Sequence, residues 1–221
     1  MKLILFDIDG TILDSVKTDD LCYIKTFWDL FSWDLSNIDW NNFKNVTDSG
    51  ITQELFFSKY ERAPTGHEIE SIISYYGQQL EFHSEFIKEI DCALSFLEHL
   101  DALPDIAVGF ATGGWRETAV IKCKSIGFKL EEHPFVSSSD HFERASIIDL
   151  AIKDALVRSK VESFDSITYF GDGLWDLRAT KEMGIDFIGV DHHSDEKLRN
   201  AGVKRIISDY KKQDEILEWI L

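Results

Sequence analysis

Two carboxylates stand one residue apart near the start of the chain and directly follow a short apolar run. Residues 3–6 read LILF, and residues 7–11 read DIDGT. A continuous apolar run is typical of a buried parallel strand, and open α/β sheets carry their chemistry beyond the carboxyl ends of such strands. The pattern therefore predicts an active site at Asp7 and Asp9. Taken alone, the same pattern would also suit an ordinary turn with two solvated acids.

Two later apolar runs also end in polar residues. Residues 106–111 read IAVGFA and are followed by TGG at 112–114. Residues 167–170 read ITYF and are followed by GDG at 171–173, with Asp176 shortly after. Because the carboxyl ends of parallel strands lie on one edge of a sheet, we expect these residues to converge with Asp7 and Asp9.

The converging residue types suit phosphoryl transfer. Mg²⁺ prefers carboxylate and carbonyl oxygens, so Asp7 and Asp172 are predicted to hold it together with a backbone carbonyl. One carboxylate can attack phosphorus, and Asp9 can serve as general acid and base. Thr112 and Arg144, with backbone amides nearby, would donate to the phosphoryl oxygens where the transition-state charge is spread.

The elements that position these residues alternate between helix and strand from Asp91 onward, which predicts a parallel sheet with right-handed crossovers. Residues 15–88 carry helical patterns without a convincing strand, so this block is predicted to be an insertion. We therefore expect an α/β fold with a Rossmann-like parallel-sheet core, formed by residues 1–14 and 89–221, and an inserted all-α domain at 15–88.

Composition limits the partners. The chain has 221 residues, 44% of them hydrophobic, which is enough for one medium α/β domain with a modest insertion. A net charge of −17 argues against a nucleic-acid or acidic membrane surface. An anionic substrate would need local positive charge from a metal, backbone amides or a few cations. The three cysteines lack the spacing of a zinc site or a redox pair, the amino terminus lacks a signal-peptide pattern, and no apolar run reaches membrane-spanning length. We therefore expect a cytoplasmic protein, with the monomer as the default oligomeric state.

Three of these motifs together resemble the haloacid dehalogenase-like (HAD) hydrolase superfamily. Residues 7–11 are similar to its first motif, Thr112 after an apolar strand to its second, and residues 171–176, GDGLWD, to its fourth. The resemblance covers the core, and residues 15–88 lie where this superfamily places a C1-type helical cap. It implies a phosphatase similar to the phosphoglycolate phosphatases.

The resemblance also implies individual roles. Asp7 would be the nucleophile, Asp9 the general acid/base, and Asp172 a magnesium ligand, with Asp176 supporting the metal directly or through water. The predicted metal-binding group is thus drawn from Asp7, Asp9, Asp172 and Asp176, with Mg²⁺ as the cofactor. The third motif is usually a lysine before a helix; here Arg144 takes that place by position and charge.

Several smaller predictions concern the substrate. Gly10, Gly113 and Gly114 would let backbone amides approach the phosphate. Thr47 and Asp48 belong to the loop of the inserted block that would face the cleft and select the substrate. An equally open interpretation makes that loop an ordinary helix start, capped by Asp48 or Ser49.

The presence of Asp9 favours a phosphatase or a phosphomutase over relatives that lack this second acid, because an ester leaving group must be protonated. We expect a small phosphorylated metabolite as substrate, without specifying it. A non-enzymatic, receiver-like phospho-acceptor and an inactive scaffold are the alternatives. The pair His192-His193 is predicted to be exposed loop without a metal, because no matching ligands stand at suitable spacing in the sequence.

Overall fold

The computed structural model describes the whole chain, Met1–Leu221, and its centre is a parallel sheet. The strands are β1 (Lys2–Phe6), β2 (Leu13–Asp14), β3 (Lys88–Glu89), β4 (Ile106–Ala111), β5 (Phe135–Val136), β6 (Ile167–Gly171), β7 (Asp186–Val190) and β8 (Ile206–Ile207). Six of them form one sheet in the order β5-β4-β1-β6-β7-β8, and every neighbouring pair is parallel. The predicted α/β fold with a Rossmann-like core is thereby confirmed.

Helices cover the sheet and fill the insertion. They are α1 (Val16–Phe31), α2 (Asp48–Tyr60), α3 (Gly66–Phe82), α4 (Ala93–Asp101), α5 (Arg116–Ser125), α6 (Arg144–Ser159), α7 (Leu174–Met183), α8 (Lys197–Asn200) and α9 (Gln213–Ile220). Short 3₁₀ turns occupy residues 40–42, 84–86 and 130–132. None of the helices combines the length and the apolar character needed to cross a membrane.

The strand register brings the polar residues to one edge. Phe6, the last residue of β1, pairs with Phe110 of β4 on one side and with Phe170 of β6 on the other. All three strands therefore end within a residue or two of the same level. Asp7 and Thr112 follow β1 and β4 at this edge of the sheet.

Both faces of β1 are buried, which explains its unbroken apolar sequence. Ile4 and Phe6 belong to a cluster of 38 buried residues that continues into the inserted helices, whereas Leu3 and Leu5 face a second cluster of 10 residues beneath α6 and α7. Because successive side chains of a strand point to opposite faces, four consecutive apolar residues supply two cores at once.

The inserted helices α1–α3 lie between β2 and β3. These two short strands pair antiparallel, Leu13 with Glu89 and Asp14 with Lys88, so both crossings of the chain between sheet and insertion run side by side. The predicted domain boundaries, 14/15 and 88/89, fall at this pair of strands. Aromatic contacts seat the insertion on the sheet domain: the rings of Tyr23 and Tyr76 each lie 6.2 Å from that of Trp115.

Phe6 holds the strand that carries Asp7, and shortening it should lower stability. Its ring stacks on Phe170 at 4.7 Å and also contacts Phe110, Phe96 and Tyr210. Phe6→Ala should reduce the free energy of unfolding by about 3–5 kcal/mol, because a buried cavity replaces the ring. Urea unfolding followed by circular dichroism measures this change.

Val157→Ala is the matched control, since that side chain is 75% exposed and should change the free energy of unfolding by less than about 0.5 kcal/mol. An equal, small effect of both substitutions would contradict the packing described for Phe6.

Candidate active site

A cavity of about 510 Å³ lies at the carboxyl edge of the sheet, beneath the inserted helices. Its lining contains most of the residues selected from the sequence, namely Asp7, Asp9, Thr47, Asp48, Thr112, Gly113, Gly114, Arg144 and Asp172. Gly10 and Asp176 stand behind this lining rather than in it. The cavity is thus bounded both by the sheet domain and by the insertion.

Asp7 follows β1 directly and is almost completely buried, with 4% of its surface exposed. Its main-chain amide donates to the carbonyl of Phe170, which extends the β1–β6 pairing by one residue and fixes the carboxylate at the edge. The guanidinium of Arg144, at the start of α6, approaches its Oδ1 at 3.3 Å. Burial raises the pKa of Asp7 above its usual value, although Arg144 opposes this effect.

Arg144 also contacts Asp176, with 3.3 Å between Nε and Oδ1. Burial alone would lower the pKa of Arg144, but Asp176 and Asp7 raise it above its ordinary value, so the side chain carries its positive charge. Arg144 therefore lies between two carboxylates of the site and contacts both.

Asp7, Asp172 and Asp176 form a compact acidic group, because each offers a carboxylate oxygen within 4.8 Å of the others. Burial raises the pKa of Asp172 to about 6 and that of Asp176 to about 8. Three carboxylates this close repel one another, and a cation bound among them would relieve the repulsion. The donors are all oxygens, as Mg²⁺ prefers, so the group fits that ion.

Gly10 makes room for this acidic group. Its φ of +71° lies in the left-handed region, and a Cβ atom at this position would lie 2.5 Å from Oδ2 of Asp172. Its amide donates to the carbonyl of Leu13 at 2.8 Å, which closes the turn after Asp9. The observed contacts of Gly10 are thus with the turn and with Asp172.

Asp9 is held by two donors. The hydroxyl of Ser15 donates to Oδ1 at 2.5 Å, and the ammonium of Lys122 donates to Oδ2 at 2.6 Å. Lys122 belongs to α5, is completely buried, and also donates to Asp19 of α1 at 2.5 Å. Burial alone would lower the pKa of Lys122, but Asp19 and Asp9 raise it above its usual value.

Lys122 and Asp19 were missed in the sequence. The only available signal was the position of Lys122 on the apolar side of α5, where Thr118, Ala119 and Cys123 are also buried. A lysine on such a face is rarely buried unless it is paired, and its partners come from two other elements. The identity of those partners depends on tertiary packing, including that of the insertion, which helical periodicity does not reveal.

The loop before α2 joins the insertion to the residues after β4. The Asp48 amide donates to the carbonyl of Gly113 at 2.8 Å, and its carboxylate accepts from the amide of Trp115 at 2.9 Å. Burial, followed by the charge of Asp19, raises the pKa of Asp48 to about 8. Asp48 therefore links the inserted helices to the edge of the sheet.

Thr47 serves two purposes at once. Its hydroxyl accepts from the amide of Gly50 at 3.1 Å, which caps α2, and donates to the carbonyl of Phe142 at 2.7 Å. The interpretation that Asp48 or Ser49 caps this helix is wrong, because Thr47 has the extended backbone of an N-cap and makes the capping bond. The loop is both a helix start and a wall of the cavity.

The residues after β4 leave space for Arg144. Thr112 is buried, and its hydroxyl accepts from the amide of Gly114 at 3.2 Å. A Cβ atom on Gly113 would lie 2.5 Å from Nη2 of Arg144, whereas one on Gly114 would find its nearest neighbours at 3.7 Å. A side chain at Gly113 would therefore displace the Arg144 guanidinium, whereas one at Gly114 would meet only ordinary contacts.

The fold and this edge define an α/β protein with a carboxylate-rich site on a parallel sheet. The family model described as haloacid dehalogenase-like hydrolase matches residues 4–190, and the chain belongs to that family. This confirms the resemblance seen in the sequence and the prediction that the protein is an enzyme of the hydrolase class.

Solved structures share the whole fold at low sequence identity. A hydrolase from Pseudomonas syringae is 22% identical with a TM-score of 0.73, covering 100% of this chain and 99% of that one. CbbY from Rhodobacter sphaeroides, in complex with phosphate, is 17% identical with a TM-score of 0.72 and 95% coverage of both chains. A variant of CbbY in complex with xylulose-(1,5)bisphosphate gives a TM-score of 0.70 at 17% identity, again covering 95% of each chain. The search of curated proteins found no match.

The two glycines after β4 provide a matched pair for testing the site. Gly113→Ala should displace the Arg144 guanidinium from Asp7 and lower kcat/KM for p-nitrophenyl phosphate by about tenfold or more, as expected when a donor to a reacting group is lost. Gly114→Ala should cause a clearly smaller loss, since its new methyl group meets only ordinary contacts. Steady-state kinetics of both variants with Mg²⁺ decide this, and equal losses would contradict the role given to Arg144.

Proposed function

We propose that this protein is a Mg²⁺-dependent phosphatase that hydrolyses a small phosphate monoester through an aspartyl-phosphate intermediate on Asp7. The observation that carries the proposal is the shared cavity, whose lining includes Asp7, Asp9, Arg144 and Asp172. Membership of the haloacid dehalogenase-like hydrolases supports it.

The first half of the proposed reaction forms a bond between a carboxylate oxygen of Asp7 and phosphorus, while the bond from phosphorus to the ester oxygen breaks. Arg144 and Thr112 would donate to the phosphoryl oxygens, where negative charge is spread in the transition state. In the second half, water attacks phosphorus and the bond to Asp7 breaks, which releases inorganic phosphate and restores the carboxylate.

Asp9 would move the protons of both halves, giving one to the leaving oxygen and taking one from the attacking water. In the structure it accepts from Ser15 and Lys122, as a carboxylate does, and this form takes the proton from water. When Asp9 must donate, Lys122 can stay paired with Asp19, which lies within 2.5 Å. Lys122 is therefore proposed to be a positioning residue for Asp9.

The metal would be held by Asp7, Asp172 and Asp176, whose oxygens already converge. When bound, Mg²⁺ would supply positive charge to the phosphoryl group and offset its repulsion by the carboxylates. Lys197, whose Nζ lies 3.4 Å from Asp172, adds a further positive charge at this end of the cavity.

The acid pair provides the sharpest test of this chemistry. Asp7→Asn should abolish turnover of p-nitrophenyl phosphate, because the amide cannot attack phosphorus. Asp9→Asn should slow turnover by about 10²–10⁴-fold while Mg²⁺ binding stays largely intact. Phosphate release measures the first effect and calorimetric titration with Mg²⁺ the second.

Undiminished phosphate release by the Asp7 variant would reject the role of Asp7 as nucleophile, and a normal rate in the Asp9 variant would reject the role of Asp9 as acid/base.

Acetyl phosphate separates the alternative functions. Rapid release of phosphate supports the phosphatase, a long-lived acyl phosphate would indicate a receiver-like acceptor, and transfer to an added sugar phosphate would indicate a phosphomutase.

The wall formed by the insertion favours a particular kind of leaving group. Asp20 and Asp39 line this part of the cavity, next to the indole of Trp40. Burial, followed by the charge of Asp19, raises the pKa of Asp20 to about 7, so added negative charge nearby is unfavourable. Carboxylates beside an aromatic ring suit an ammonium group or hydroxyls better than a second anion.

Two substrates with the same two-carbon skeleton test this preference. O-phosphoethanolamine should give a kcat/KM about tenfold or more above that of 2-phosphoglycolate, which corresponds to about 1.4 kcal/mol. The double variant Asp20→Asn/Asp39→Asn should reduce the ratio, whereas Glu70→Gln, an exposed acid of α3 away from the cavity, should leave it unchanged. A preference for 2-phosphoglycolate in the unmodified protein would contradict the substrate class without affecting the phosphatase proposal.

A further inference from the structure

A second cluster of possible metal ligands lies where the chain leaves the sheet for the insertion. Asp14 ends β2, and His192 and His193 follow β7; each offers one ligand atom within 4.8 Å of the others. The Nε2 atom of His193 lies 3.2 Å from Oδ1 of Asp14, and that of His192 lies 3.6 Å from Oδ2. The prediction that the histidine pair has no metal partners rested on sequence spacing, and the fold supplies Asp14.

The hydrogen bond of His192 fixes which nitrogen faces Asp14. Its Nδ1 lies 3.2 Å from the carbonyl oxygen of Ser208, and since a carbonyl only accepts, Nδ1 carries the hydrogen. In the neutral ring, Nε2 then presents a lone pair to a carboxylate oxygen. A cation at this position would be bound by that nitrogen and by the carboxylate of Asp14 at once. Imidazole bound to a metal commonly donates its other nitrogen to a backbone carbonyl in this way.

A single divalent ion satisfies the cluster better than two protons. The two imidazole rings lie only 5.0 Å apart, so protonating both would place like charges side by side against one carboxylate. Four-coordinate zinc with bonds of 2.0–2.1 Å separates neighbouring ligand atoms by about 3.3 Å. Each imidazole nitrogen lies at a comparable distance from one oxygen of Asp14, 3.2 Å from Oδ1 for His193 and 3.6 Å from Oδ2 for His192.

We propose that Asp14, His192 and His193 form a binding site for one divalent transition-metal ion of the zinc type, separate from the acidic group at Asp7. Imidazole nitrogens favour such ions, whereas Mg²⁺ prefers oxygen donors. The side chains are 40%, 28% and 43% exposed, in that order, so water has access to complete the coordination.

The position of the site gives it a mechanical consequence. Asp14 pairs with Lys88 across the two strands through which the chain enters and leaves the insertion. An ion bound to Asp14 links this pair of strands to the loop after β7 in the sheet domain. Binding of zinc therefore stabilises the folded chain, and the thermal unfolding temperature rises in its presence.

Cobalt and zinc are suitable probes, because Mg²⁺ in excess occupies the acidic group without competing at nitrogen ligands. The chain, stripped with EDTA and returned to excess Mg²⁺, is titrated with Co²⁺ and with Zn²⁺. We expect one equivalent to bind, with the intense visible absorption of four-coordinate Co²⁺ and with a raised unfolding temperature in Zn²⁺. His192→Ala/His193→Ala should lose both signals, and Asp14→Asn should weaken binding by about tenfold or more.

Two controls keep the result specific. His67→Ala removes an exposed histidine of α3, and Asp7→Asn alters the acidic group; both should retain the cobalt spectrum. If the double histidine variant still hydrolyses p-nitrophenyl phosphate, it is folded. If it is not folded, the Asp14→Asn variant tests the proposal in its place. Absence of binding in the unmodified chain, or binding that persists without both histidines, overturns the proposal and identifies the contacts as simple ion pairs.

Discussion

The structure depends on keeping several buried carboxylates together at one edge of a sheet. Asp7 and Asp176 are nearly or fully excluded from solvent, and burial raises the pKa of each, so their proximity is costly without positive charge. Arg144 supplies part of that charge from the start of α6 and contacts both acids. Arg144 opposes the effect of burial on the pKa of both acids, so a shift of the helix that carries it would leave their burial less compensated.

This electrostatic constraint explains the close fit of the backbone around the site. Gly113 lacks the Cβ atom that would collide with Arg144, and Gly10 lacks the one that would collide with Asp172. Phe6 fixes the end of β1 by packing against rings of both neighbouring strands, which holds Asp7 at the edge of the sheet. A shift of one residue would exchange the two faces of the strand and remove the carboxylate from the cavity.

The sequence predicted those parts of the molecule that depend on local patterns. The apolar run at residues 106–111 is β4 with the same bounds, and Asp7, Thr112 and Asp172 all line one cavity because parallel strands end on one edge. The pairing of Lys122 with Asp9 and Asp19, and that of Asp14 with the two histidines, could not be predicted. Each joins residues far apart in the chain, and only the three-dimensional packing of the fold brings them together.

The same contacts that seat the insertion also complete the site. Lys122 bridges Asp9 of the sheet domain and Asp19 of α1, and Asp48 holds the backbone of Gly113 and Trp115. If the inserted helices moved away, Lys122 would keep only Asp9, and the segment that leaves room for Arg144 would lose its anchor. The seated insertion therefore sets the position of Asp9, the proposed acid/base, together with that of the backbone at Gly113 and Trp115. Closure of the cavity and assembly of the residues proposed to act in it are thereby coupled.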